Sequence, residues 1–162
     1  MFLDTNLEAN SVEDRRLTDV LYGAGKEYRL KQEILLGIGG VKYLRALGFN
    51  AIRTFHMNEG HSALLTLELL RESQRTIFET WDEDTVWDFS KVRSQCVFTT
   101  HTPVAAGHDT FSYDLVEKTL KTGISLKVIK SICGESVLNM TILGLNLSRF
   151  ANGVAKAHGD VS

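Results

Sequence analysis

Five histidines, each with small polar or acidic neighbours, are the residues of this sequence best suited to chemistry. His56-Met57-Asn58-Glu59-Gly60-His61-Ser62 holds two, His101-Thr102-Pro103-Val104 and Gly107-His108-Asp109 one each, and His158-Gly159-Asp160 the last. Imidazole and carboxamide groups donate and accept hydrogen bonds without a fixed charge, which suits a hydroxyl-rich ligand, while a carboxylate among them sets its orientation. His56, His61 and His101 form the candidate pocket, and His108 and His158 read as structural. A metal site is a competing use of the same residues. His56 and His61 are five apart with Glu59 between them, which is not the HExxH spacing that sets two imidazoles on one helix face. Ligands from separate loops remain open, so a zinc-dependent hydrolase stays as an alternative. Neither a GxSxG elbow nor a Walker loop occurs. Cys96 and Cys133 lack a CxxC partner and read as buried free thiols.

These residues need a scaffold that gathers them. Ala51–Phe55 and Cys96–Thr100 read as strands, and Ala151–Lys156 as a last one. Between and around them, helices are expected over His61–Arg75, Val86–Ser94, Tyr113–Lys121, Ile124–Ile132 and Thr141–Arg149. Strands separated by helices imply an α/β fold with a Rossmann-like parallel sheet, helices on both faces, and ligands at the carboxyl edge of the strands. That edge is where the histidine loops fall, so His56 and His101 are expected there together. Upstream, Phe2-Leu3 reads as a strand stub. Ser11 with Glu13 and Asp14 suits a helix start near 12–22, closed by Gly23. Leu30, Ile34, Ile38, Val41, Leu44 and Leu47 mark a long amphipathic helix over Lys26–Leu47. Gly37, Gly39 and Gly40 interrupt it; without a third glycine or a preceding strand they fit close backbone packing or a kink better than a dinucleotide loop.

The 162 residues suit one domain, and 18 Lys+Arg against 20 Asp+Glu give a net charge of −2 with no basic run. Nucleic acid is thereby an unsuitable partner. The apolar stretches are too short for a membrane span, and the N-terminus lacks a secretory pattern, so a cytoplasmic location is expected.

Taken together, Asp4-Thr5-Asn6, Glu27-Tyr28-Arg29-Leu30-Lys31-Gln32-Glu33, His56-Met57-Asn58-Glu59-Gly60-His61, Thr99-Thr100-His101-Thr102-Pro103-Val104 and Asn152-Gly153-Val154-Ala155-Lys156-Ala157-His158-Gly159 resemble the α-glucan (glycogen, starch, maltodextrin) phosphorylase family. The resemblance runs through essentially the whole chain in order, towards the shorter bacterial and archaeal branch. It implies that residues 1–162 form a single partial domain, an internal piece of the N-terminal domain of a two-domain GT-B glycosyltransferase. By the same resemblance, His101 hydrogen-bonds the transferred glucosyl unit, Glu59 and His61 lie beside its reducing-end side, and Asn58 and Thr102 support these loops. The implied partners are an α-1,4-glucan, inorganic phosphate and the C-terminal domain of the same enzyme. The implied reaction yields a shorter glucan and glucose 1-phosphate. Pyridoxal 5′-phosphate is the implied cofactor of the complete enzyme, carried on a lysine of that second domain, and no lysine of this chain matches it. The isolated chain is expected to be inactive and prone to self-association. A non-catalytic sugar-binding remnant is the other alternative.

Overall fold

The helical pattern after residue 25 is realised as three joined pieces in a computed structural model that describes residues 3–23, 25–75, 86–101 and 108–154. Helix α1 (Lys26–Ile34) passes into a π-helical turn over Leu35–Gly39 and then into α2 (Gly40–Ala46). Leu30, Ile38 and Val41 face the core, as their spacing requires. The wide turn falls where glycines permit it, and Gly37 shows why one is needed: a Cβ there would lie 2.7 Å from the backbone nitrogen of Leu65. The close backbone approach expected from the glycine cluster is thus made to the start of helix α3 (Leu65–Glu72), which is buried at Leu65 through Leu70.

Strands β1 (Phe55–Asn58), β2 (Cys96–Thr100) and β5 (Phe150–Gly153) form the parallel sheet in the order β1-β2-β5. Phe55 pairs with Cys96 and Asn58 with Thr99; Val97 pairs with Phe150 and Thr99 with Asn152. Helix α4 (Phe89–Gln95) leads into β2. Between β2 and β5 lie β3 (Thr110–Phe111), α5 (Tyr113–Thr119), α6 (Leu126–Cys133), β4 (Leu138–Asn139) and α7 (Met140–Asn146). The β3–β4 pair is antiparallel and too short to carry a sequence pattern. Its last residue, Asn139, caps α7 by accepting from the backbone N–H groups of Thr141 and Ile142, both at 3.0 Å.

Four expectations need correction. The first strand is Phe55–Asn58 rather than Ala51–Phe55, because β2 begins opposite Phe55 and the earlier residues have no strand to pair with. His56 therefore lies inside β1. The helix near 12–22 shrinks to one 3-10 turn, Asp14–Arg16, although Ser11 Oγ does accept from the Asp14 N–H at 3.1 Å. Leu17 is buried but Val12, Val20 and Leu21 stay exposed, so the segment has little apolar surface to hold a longer helix, and packing rather than propensity supports short helices. Leu3 is not in a strand, and Phe2 lies outside the described residues. Finally, helices do not cover both sheet faces among the described residues. Phe55, Met57, Cys96 and Phe98 are buried on one face, whereas His56, Asn58, Phe150 and Asn152 are exposed on the other, where Thr99 is buried between its neighbours.

Candidate functional site

The loops that follow β1 and β2 meet at the carboxyl edge of the sheet. The first begins with Glu59, whose backbone angles of φ 68° and ψ 177° belong to a region usually reserved for glycine. Such a conformation costs on the order of 1–3 kcal/mol and persists only where its surroundings impose it. Here they do. The Glu59 N–H donates to the Thr99 carbonyl at 2.8 Å, while its carboxylate accepts from the His101 N–H at 2.6 Å and from Thr100 Oγ1 at 3.2 Å. Gly60 packs directly on α7, where a Cβ would come within 2.9 Å of that of Met140.

Asn58 completes the junction. Its Oδ1 accepts from Nε2 of His101, so that ring nitrogen carries a proton, and in the neutral ring Nδ1 is the acceptor. Asn58, Glu59 and His101 are thus brought together, with the carboxylate of Glu59 spent on fixing the backbone that presents His101. His56 joins a neighbouring chain of hydrogen bonds on the open face. Its Nε2 lies 2.6 Å from Thr99 Oγ1, which donates to Asn152 Oδ1 at 2.9 Å. The Thr99 hydroxyl has one proton and gives it to Asn152, so His56 must donate. Thr102 lies outside the described residues.

His61 follows Glu59 by two residues, in the 3-10 turn Gly60–Ser62, but its ring belongs to a separate group. Arg29 on α1 places Nη2 2.7 Å from His61 Nδ1 and 3.0 Å from Asp109 Oδ2, and its Nε 3.1 Å from Glu33 Oε1. Asp109 is held in place through its carbonyl, which accepts from the Met140 N–H at 3.1 Å. With the His61, Arg29 and Glu33 side chains beside it, its carboxyl lies well below the usual carboxylate range, against the opposing effect of burial. Glu33 behaves in the opposite way. It is only 2% exposed, and burial followed by the adjacent Asp109 charge pushes its pKa up to about 9 despite Arg29. The Arg29 contact is close but not aligned as a hydrogen bond, so it does not compensate the desolvation of an ionised Glu33.

This second group bears on the metal alternative. Glu33, His61 and Asp109 hold potential ligand atoms within 4.8 Å of one another, yet the Arg29 guanidinium touches all three and already supplies the positive charge. His56 is engaged with Thr99 rather than with His61. Both cysteine thiols are buried and free, with pKa values pushed up to about 12 by burial, and so are unreactive.

Sequence reasoning did not single out Arg29, Glu33, Asp109, Thr99 or Asn152 as site residues. One signal was present for Glu33: it stands three residues after Leu30 and five before Ile38, a charge within the apolar stripe of its helix.

No protein-family model matches the chain. Among curated proteins, glycogen phosphorylase of Mycobacterium tuberculosis is 39% identical over an alignment covering all of this chain and 20% of that protein. Maltodextrin phosphorylase of Thermococcus litoralis is 39% identical over 99% of the chain and 19% of its own length. Glycogen phosphorylase of Aquifex aeolicus is 32% identical over 99% of the chain and 24% of its length. The chain spans about a fifth of the length of the first two, and its similarity to these glycogen and maltodextrin phosphorylases is sustained across its whole extent.

Proposed function

We propose that the chain is part of a retaining α-1,4-glucan phosphorylase, which transfers a glucosyl unit from the end of a glucan to inorganic phosphate. Whole-chain identity to enzymes so named is the observation that carries this reading. The geometry supports it. A glucosyl unit offers hydroxyls, and His101, exposed at the strand edge with Nε2–H committed to Asn58, offers Nδ1 as an acceptor for one of them. Glu59 fixes the His101 backbone, so the ring is held before the sugar arrives, which lowers the entropic cost of alignment. His61 supplies a second imidazole on the preceding loop. In this reading, residues 1–162 are one partial domain, the N-terminal cleft domain of a GT-B enzyme. Asn58 and Thr102 support the loops, and the enzyme works in the cytoplasm. Among the described residues, no helix is long and apolar enough to cross a membrane.

Pyridoxal 5′-phosphate is the cofactor of the complete enzyme in this reading, and it supplies a phosphate group next to the substrate phosphate. Lys31, Lys42 and Lys118 do not fit the lysine that would carry it. A Schiff-base lysine must shed its proton, whereas Lys31 is held charged by Asp14 at 3.1 Å, and Lys42 and Lys118 pair with Glu68 and Glu27. No step is therefore assigned to the cofactor here. The coding sequence beyond Ser162 tests the proposal: continuation into a second, lysine-bearing domain supports it. A stop codon there would instead favour a sugar-binding remnant.

A further inference from the structure

The contact between Arg29 and His61 fixes the position of a proton. Arginine has only donors and keeps its charge at every pH a protein experiences, so at 2.7 Å its Nη2 donates and His61 Nδ1 accepts. An imidazole that accepts at Nδ1 is neutral and bears its proton on Nε2. The competing arrangement is also visible, because His61 Nδ1 lies 3.4 Å from Asp109 Oδ2, and a proton on Nδ1 would pair with that carboxylate. The shorter contact, with a group that can only donate, decides between them. Nη2 has two hydrogens, and the geometry uses both: one for His61 and one for Asp109 at 3.0 Å.

The guanidinium is itself immobilised. Its side chain is 13% exposed, Nε faces Glu33, and the Tyr22 ring lies over it with 4.7 Å from the guanidinium carbon to the ring centroid. His61 is 35% exposed, and its Nε2 has no hydrogen-bond partner among the described residues. It lines a cleft of about 450 Å³ together with Tyr22, Arg29, Glu33 and Leu36.

We propose that Arg29 is a positioning residue: by donating to Nδ1 of His61 it holds the neutral ring with its proton on Nε2, presenting a hydrogen-bond donor to a sugar oxygen. The sugar as recipient rests on the phosphorylase reading; the tautomer does not. His61 would then donate where His101 accepts, so the two imidazoles on adjacent loops discriminate oxygen lone pairs from hydroxyl protons.

Long-range proton–nitrogen correlation spectra of the chain, labelled with nitrogen-15 in histidine, read the tautomer directly. They are recorded at pH 8, above the ordinary imidazole pKa of about 6.5. The His61 signals are identified by their loss in His61→Gln. The expected wild-type result is the Nε2–H form. In Arg29→Met, which keeps the aliphatic stem and removes the donors, the proton is expected to move to Nδ1 and pair with Asp109. Arg29→Lys, still a pure donor, should retain the wild-type pattern. A wild-type ring protonated on Nδ1 overturns the proposal, as does an Nε2–H ring unchanged in a folded Arg29→Met. If that variant fails to fold by circular dichroism, the wild-type spectrum alone decides by the same criterion. No substrate is present, so failure here is separate from failure of the phosphorylase reading, which phosphate-dependent glucan cleavage decides.

Discussion

Replacing Glu33 by glutamine tests whether a buried carboxyl beside an arginine is neutral or ionised. With a pKa raised from 4.5 to about 9, native Glu33 keeps its proton at neutral pH while the unfolded chain loses it. The native state then binds more protons than the unfolded state, so stability falls as pH rises between those two values, by about 1.4 kcal/mol per pH unit for this group. From pH 5 to pH 8 the loss amounts to roughly 4 kcal/mol, a large part of the 5–15 kcal/mol that holds a typical domain together. Glutamine has the same shape as the neutral acid, can donate to Asp109 and accept from Arg29, and cannot ionise. Glu33→Gln should therefore match wild type near pH 5 and exceed it by a growing margin up to pH 8. The difference should reach about 3–5 kcal/mol if the full shift is expressed. Urea unfolding followed by circular dichroism at several pH values measures this, provided the urea dependence is the same in both proteins. The reasoning is refuted if Glu33→Gln is the less stable protein at pH 7–8 by about 3–5 kcal/mol, the usual result of removing one partner of a buried ion pair.

Three further outcomes are expected. In the complete polypeptide, His101→Ala should lower turnover roughly ten- to a hundredfold with little change in melting temperature, since one lost hydrogen bond in a desolvated pocket is worth ~1–3 kcal/mol. Steady-state kinetics beside thermal melting would show a structural histidine by the reverse pattern. The chain of 162 residues alone should form no pyridoxal Schiff base and release no glucose 1-phosphate, because catalysis depends on positioning across both sides of a cleft. An absorbance band that survives dialysis with the cofactor would contradict this. Leu21, Tyr22, Phe49 and Phe150 are between 51% and 79% exposed, so the chain should self-associate, as sedimentation at rising concentration would reveal; a compact monomer throughout would count against it.

How much of this was legible depended on whether the cause was local. Cys96–Thr100 was readable to the residue, because a β-branched and aromatic run needs little context to be a strand. The interrupted helix after Lys26 was readable from its apolar spacing, and its glycines from the packing they permit. The start of β1 was not, since Ala51–Thr54 has suitable residues but no partner strand, and pairing is a property of the sheet. The loops bearing Asn58, Glu59 and His101 could be placed from the rule that ligand sites follow parallel strands. Their mutual hydrogen bonds could not, because Glu59 reaches His101 across 42 residues. The Arg29–Asp109 contact spans 80 residues. No local pattern announces such a pair, and only the buried Glu33 within an apolar stripe hinted that α1 carries polar machinery.

The proposed function places this segment in an enzyme that cleaves glucan with phosphate. The most direct measurement is product analysis of maltoheptaose incubated with the complete polypeptide, with and without inorganic phosphate. Glucose 1-phosphate and maltohexaose are expected, formed only when phosphate is present. Free glucose or maltose released without phosphate, or cleavage abolished by a zinc chelator, would contradict it.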